Sequence, residues 1–298
     1  MPRPHAETAQ GRAEDVAHRT SAERAALMER SVGALPGEGP SRLATARVLV
    51  VGCGGIGGVV AHVLARSGVG SLVLVDHDAY DPTNGNRQIC CYADSMGLPK
   101  AEVLADALRG MSGGPEVRAL VARGTTASLG REVDEADFVV AAADDYAFSL
   151  ALLDAALDSG RPCAFALPIG SWAGVAVFAP GGPAPARLFG KRREDEAGYR
   201  GAIAAGLTRF ARAARRRGRG PATPGYDRYL DGALPPPQLC PVVWTAASIL
   251  ALEALKLLAG LGRPILAPRW QEVTLAGART RRSPLIGYSG FLARAGKD

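Results

Sequence analysis

Cysteine is scarce and poorly placed for a scaffold. The 298 residues hold five, Cys53, Cys90, Cys91, Cys163 and Cys240, an odd number with no C-x-x-C pair. That excludes a disulfide framework and a four-thiolate zinc site, and it sets the expectation of a reducing, cytoplasmic compartment without zinc. A hydrophobic leader is also missing, since "MPRPHAETAQGRAEDVAHRT" is polar throughout. The most apolar stretch, "CPVVWTAASILALEALKLLAG", carries Glu253 and Lys256. Its uninterrupted part is too short to span a bilayer, so it reads as a buried helix and no membrane partner is expected. No internal repeat is present. Apolar residues make up 47% and charged residues 21%, enough for a real core. The net charge of +6 is concentrated in one stretch rather than spread over the chain.

What is present follows one grammar. "ARVLVVGCGGIGGVVAHVLARSGVGSLVLVDHD" reads as strand, glycine-rich turn, helix and strand, and the non-alternating "RVLVV" suits a strand buried on both faces of a parallel sheet. A helix at "PKAEVLADALRGM" precedes strands at "EVRALVA" and "ADFVVAAAD". A helix at "AFSLALLDAALDSG" and a strand at "PCAFALPIG" follow. This alternation predicts an α/β fold: a doubly wound, Rossmann-like, mainly parallel sheet. Residues 1–20 read as a flexible tail. Residues 21–180 read as a helical arm ("SAERAALMERSVGAL", ended by Pro36 and Gly37) followed by the main domain. Residues 181–239, rich in Pro, Gly, Ala and Arg, read as a long crossover insertion. Residues 240–298 complete the same domain with a closing helix from Pro241 to about Ala259 and C-terminal strands, one of them at "RWQEVTLAG".

Gly52, Gly54 and Gly57 form G-x-G-x-x-G directly between a strand and a helix. Glycines there let the backbone approach phosphate, and the helix N-terminus favours an anion. Asp76 ends the next strand, where a carboxylate can accept from ribose hydroxyls. On these features alone a dinucleotide and an NAD-dependent oxidoreductase are the first expectation.

The stretch "DAYDPTNGNRQI" at 78–89 points elsewhere. With Gly52, Gly54, Gly55 and Gly57, then Asp76 and Asp78, then Asn84, Arg87 and Gln88, then Lys100, the chain resembles the ThiF/MoeB/HesA group of ubiquitin-activating-enzyme-like adenylating proteins. The family pattern is G-x-G-G-x-G, D-x-D, N-x-x-R-Q and a Lys. The resemblance covers about residues 25–180 and 240–280. It implies ATP and Mg²⁺ as cofactors, with Asp144 as metal ligand. It also implies a homodimer in which an N-terminal Arg, here Arg30 before Arg24, reaches the neighbouring subunit's ATP.

The chemistry agrees with the resemblance. Bringing a carboxylate to the α-phosphate of ATP joins two anions and expels a third, which calls for cations and a metal. Arg87 and Lys100 supply the cations, Asn84 and Gln88 neutral donors, and Asp144 the metal ligand. Competing expectations are an Arg87 ion pair with Asp78 or Asp81, a solvated Lys100, and Asp145 sharing the metal.

The 181–239 insertion contains no Cys, whereas many members of the family place a nucleophilic Cys there. Cys240, at its edge, reads as a buried packing residue, against the alternative of a thiol activated at a helix start. The basic "FARAARRRGRG" could recruit an acidic partner such as a ubiquitin-like or carrier protein, an acidic peptide or RNA, or could simply be solvated. The expected activity is that of a ubiquitin-like-modifier-activating-type adenylyltransferase, turning the carboxylate of a carrier protein, peptide or small acid into an acyl-adenylate. A tRNA-modifying dehydratase of the same family is an alternative.

Overall fold

The computed structural model describes residues 21–31, 33–185, 212, 224–274 and 279–284. The 1–20 tail and, apart from Arg212, the basic stretch of the insertion lie outside these residues.

Among the described residues the strands are β1 (Arg47–Val51), β2 (Ser71–Val75), β3 (Glu116–Leu120), β4 (Phe138–Ala141), β5 (Cys163–Ile169), β6 (Trp172–Phe178), β7 (Arg269–Thr274) and β8 (Arg279–Pro284). They form one sheet in the order β3-β2-β1-β4-β5-β6-β7-β8. β3, β2, β1, β4 and β5 pair in parallel, and β5 through β8 continue as an antiparallel meander. The doubly wound, mainly parallel expectation therefore holds for the half that carries the glycine turn. β7 lies at the strand expected from "RWQEVTLAG", while β8 is a further C-terminal strand whose position the sequence reading did not assign.

The unbroken apolar runs have a physical cause. In β1 and β2, Val48, Val50, Leu72 and Leu74 face one core, and Leu49, Val51, Val73 and Val75 face another. Both faces are covered, so alternation would place polar groups in a core. Each fully buried Leu here contributes roughly 1.5–3 kcal/mol. The first face is covered by α3 (Gly55–Arg66), α4 (Lys100–Arg109) and α8 (Cys240–Ala259). The second is covered by α5 (Gly130–Asp134), α6 (Tyr146–Asp158) and α7 (Pro224–Leu230).

Three local features stand out, the first two of them differences from the sequence reading. The arm is not one helix: α1 (Ser21–Met28) passes into a 3-10 turn at Glu29–Ser31, and a separate α2 (Gly39–Thr45) begins with Pro40 in its first turn. α1 docks on its own chain, with Arg24 Nη2 donating to the Gly68 carbonyl at 2.9 Å. Second, α7 falls inside the predicted insertion, yet Tyr226, Tyr229 and Leu230 are buried in the second core. The next residues also return to the sheet, for Gly170 N donates to Pro237 O at 2.8 Å.

The third concerns charge within α8. This 20-residue helix is the one described helix long and apolar enough to cross a membrane, and its position explains why: Val242, Val243, Ala246, Ala247, Leu250, Ala251 and Ala254 are buried against α3, β5 and β6. Glu253 is buried too. Its carboxylate accepts from Lys256 Nζ at 2.6 Å, Ile265 N at 2.7 Å and Gln271 Nε2 at 2.8 Å. The mid-helix charge is thus a satisfied network joining α8 to β7.

Candidate functional site

A cleft of about 630 Å³ opens at the carboxyl ends of β1, β2 and β4. There the chain reverses its winding between β1 and β4, the place where open α/β sheets bind ligands. Gly52, with φ +94°, makes the turn possible: a Cβ there would lie 2.4 Å from the Ala142 carbonyl. α3 then starts at Gly55 with no side chain capping it, leaving its first N–H groups for an anion.

The glycines divide by role. Gly52, Gly54 and Gly55 line the cleft. Gly57 does not, contrary to its sequence assignment as a ligand-binding residue. A Cβ on it would sit 1.8 Å from the Gly52 carbonyl oxygen, so it lets α3 lie against β1.

Asp76 closes the turn from the other side. Its Oδ2 accepts from Cys53 N at 2.7 Å and its Oδ1 from Asp78 N at 2.9 Å. Asp78 accepts from Lys100 Nζ at 3.0 Å, with His77 Nε2 at 3.4 Å from its other oxygen. Lys100 is 7% exposed and lines the cleft, so it is not a solvated helix residue. As the first residue of α4 it sits at the positive helix end, an unfavourable place for a cation that Asp78 offsets.

Asp81 caps the 3-10 turn Pro82–Asn84, accepting from Thr83 N, and the Asn84 side chain returns the bond by accepting from Asp81 N. Hydrogen bonds from Thr83 hold the Asp81 carboxyl below its usual range. Asn84 is therefore a turn former as well as a lining residue. Arg87 pairs with neither Asp78 nor Asp81. Its Nη1 donates to Thr83 O at 3.0 Å and to Asn86 Oδ1 at 2.8 Å. Burial draws its pKa down from the ordinary arginine value, yet the guanidinium stays charged. Gln88 is buried on the cleft wall, and its Oε1 has no hydrogen-bond partner. A ligand donor would satisfy it.

The two acids after β4 separate cleanly. Asp145 is the N-cap of α6 and accepts from Phe148 N at 3.1 Å. Asp144 is exposed in the cleft, and no hydrogen bond or ion pair from a described residue reaches its carboxylate. A divalent cation therefore fits Asp144. Asp76, His77 and Asp78 also offer ligand atoms within 4.8 Å of one another. Both Asp76 oxygens, however, already take main-chain N–H bonds, and Lys100 neutralises Asp78.

Other wall residues escaped the sequence reading. Arg123, Gly124, Thr125 and Thr126 follow β3, and Phe148 and Gln238 are also among the lining residues. Their sequence lacks a motif; only the strand order β3-β2-β1 brings the loop after β3 to this cleft. Arg30 lies exposed in its 3-10 turn and is not among the lining residues. Cys240 is half-buried at the start of α8, not enclosed as expected, and it does not line the cleft.

Comparison with known proteins gives a consistent picture. The model of the ThiF family matches residues 28–286. The SAMP-activating enzyme E1 of Haloferax volcanii is 38% identical over 125 residues, 42% of this chain and 46% of that protein. The tRNA threonylcarbamoyladenosine dehydratase of Escherichia coli is 46% identical over 78 residues, 26% of this chain and 28% of that protein. The sulfur carrier protein ThiS adenylyltransferase of Bacillus subtilis is 30% identical over 145 residues, 48% of this chain and 43% of that protein. Each match thus spans less than half of the relative's own length. Among solved structures, Escherichia coli MccB with ATP superposes with a TM-score of 0.62 at 21% identity, covering 83% of this chain and 66% of that one. PaaA superposes at 0.67 and 19% identity, covering 90% and 76%. At these identities the two structures speak for the fold alone.

Proposed function

Since the chain belongs to the ThiF family, we propose that it is an ATP- and Mg²⁺-dependent adenylyltransferase that converts a carboxylate to an acyl-adenylate. The observation that carries this reading is the set of side chains that share the cleft with the glycine turn. Two buried or half-buried cations, Arg87 and Lys100, face the same cleft as an unengaged carboxylate, Asp144. An NAD-dependent oxidoreductase has no use for that set.

In the proposed reaction, a carboxylate oxygen attacks the α-phosphorus of ATP, and the bond from that phosphorus to its bridging oxygen breaks to release pyrophosphate. The α3 N-terminus and Gly54 N–H region receive phosphate oxygens, while Asp76 keeps the turn in shape and retains acceptor capacity for ribose. Arg87 and Lys100 stabilise charge on the departing pyrophosphate. Gln88 supplies a neutral contact. Asp144 would hold the Mg²⁺, which when bound shields the triphosphate charge. Arg30, exposed and outside its own cleft, would serve the neighbouring subunit of a homodimer.

The acid belongs to a carrier protein, a peptide or a small molecule; a relative named as a sulfur carrier protein adenylyltransferase supports the adenylation step, and one named as a tRNA dehydratase keeps a tRNA-modifying member of the family as the alternative. The Arg-rich insertion would suit an acidic partner. ATP–pyrophosphate exchange against a panel of carboxylates and carrier proteins tests the reading. Exchange stimulated by one class supports it; binding of NAD with no binding of ATP would overturn it.

A further inference from the structure

We infer that Trp244 is a positioning residue for Arg87, through which the exit of the long insertion holds the triphosphate clamp in shape. This rests on the adenylation reading above. Arg87 sits in a short loop that contains no regular element after Asn84. Its main-chain carbonyl accepts from the indole Nε1 of Trp244 at 2.8 Å, across 157 residues of sequence. At the other end of the same residue, the guanidinium Nη1 is oriented by Asn86 Oδ1 at 2.8 Å. Asn86 is itself anchored, because its Nδ2 donates to Gln238 O at 3.0 Å.

Both ties therefore lead to residues 238–244, one to the backbone and one to the head group of Arg87. The packing beneath them is close. A Cβ on Gly55 would lie 2.9 Å from Val243 Cγ1 and 3.3 Å from Arg87 Cγ, so the glycine turn, the first turn of α8 and the Arg87 stem occupy one packed corner.

Trp244 does not itself line the cleft, and 38% of it is exposed. What the indole adds is a rigid N–H donor aimed at the Arg87 carbonyl. Fixing that carbonyl fixes the peptide from which the guanidinium reaches the phosphates, and a preorganised charge is worth more than a mobile one. Residues 238–244 span the end of the insertion and the start of α8, so whatever displaces that segment also loosens Arg87.

The test is Trp244→Phe, which keeps the ring and removes the donor. ATP and adenosine affinities are measured by calorimetry in wild type, Trp244→Phe, Arg87→Ala and the double variant, with melting curves for each. Trp244→Phe should weaken ATP binding about fivefold, the scale of one hydrogen bond, and leave adenosine binding unchanged. In the Arg87→Ala background the same substitution should have no further effect on ATP. Asn86→Ala should reproduce the pattern. Equal weakening in both backgrounds, or parallel losses for ATP and adenosine, would mean a general structural role and overturn the inference. Unchanged ATP affinity in Trp244→Phe, with wild type binding ATP normally, would overturn it while sparing the adenylation reading. Wild type that binds no ATP would sink both.

Discussion

Arg87 and Lys100 differ in how they are held, and the difference shapes what their loss should do. Arg87→Ala and Lys100→Ala should each lower exchange about a hundredfold, because removing one preorganised charge costs about 3 kcal/mol of transition-state stabilisation. Lys100→Ala should also disturb Asp78, which loses its 3.0 Å partner at a helix N-terminus. Exchange at the parental rate by folded variants would remove either residue from the clamp. The acids give a sharper pair. Asp144→Asn should abolish Mg²⁺-dependent exchange, whereas Asp145→Asn should keep most of it, since Asn caps helices as well as Asp does. The reverse order, read by the same assay, would move the ligand to Asp145. Among thiols, burial pushes Cys53 and Cys163 up, and Cys90 up to about 11. Below those values they stay protonated and unreactive. At pH 8 a maleimide should rapidly label only Cys91 and Cys240 in the folded protein, and all five cysteines after denaturation. Rapid labelling of Cys53, located by peptide mass, would contradict the burial of the glycine turn.

Among the elements, those that could be read in the sequence are the ones whose burial pattern is local. β1 reads as a two-faced strand because "RVLVV" has no polar position. α8 reads as a core helix because its apolar residues run nearly all round. Elements that depend on distant partners were not legible. α7 lies in a Pro- and Arg-rich stretch, and only its contact with the second core makes Tyr226 and Tyr229 buried residues. β8, "RTRRSP", is held by pairing to β7 rather than by its own pattern. The site divides the same way: the glycine turn, Arg87, Gln88 and Lys100 announce themselves by motif, while Arg123 to Thr126 reach the cleft only through strand order. Glu253 belongs here too, since sequence shows a charge in an apolar helix but not its three partners. Glu253→Ala should cost about 3 kcal/mol by leaving buried donors unpaired, visible as a lower melting temperature. A variant as stable as wild type would show that water replaces the carboxylate.

At the scale of the molecule, two distant parts of the sequence make one core. α8 covers a face built from α3, β5 and β6, and β7 extends the sheet by pairing with β6. The described residues on either side of the 186–211 stretch are joined by these core and sheet contacts, whatever the stretch between them does. A protease cut introduced there should give two pieces that migrate together under native conditions and separate only in denaturant; separation in native buffer would show that the covalent link is needed. The same logic makes the protein a candidate for expression as two co-produced halves. Residues 1–185 alone would leave bare the part of α3 and of the first core face that α8 covers, so the amino-terminal half should be recovered in quantity only when its carboxyl-terminal complement is made beside it.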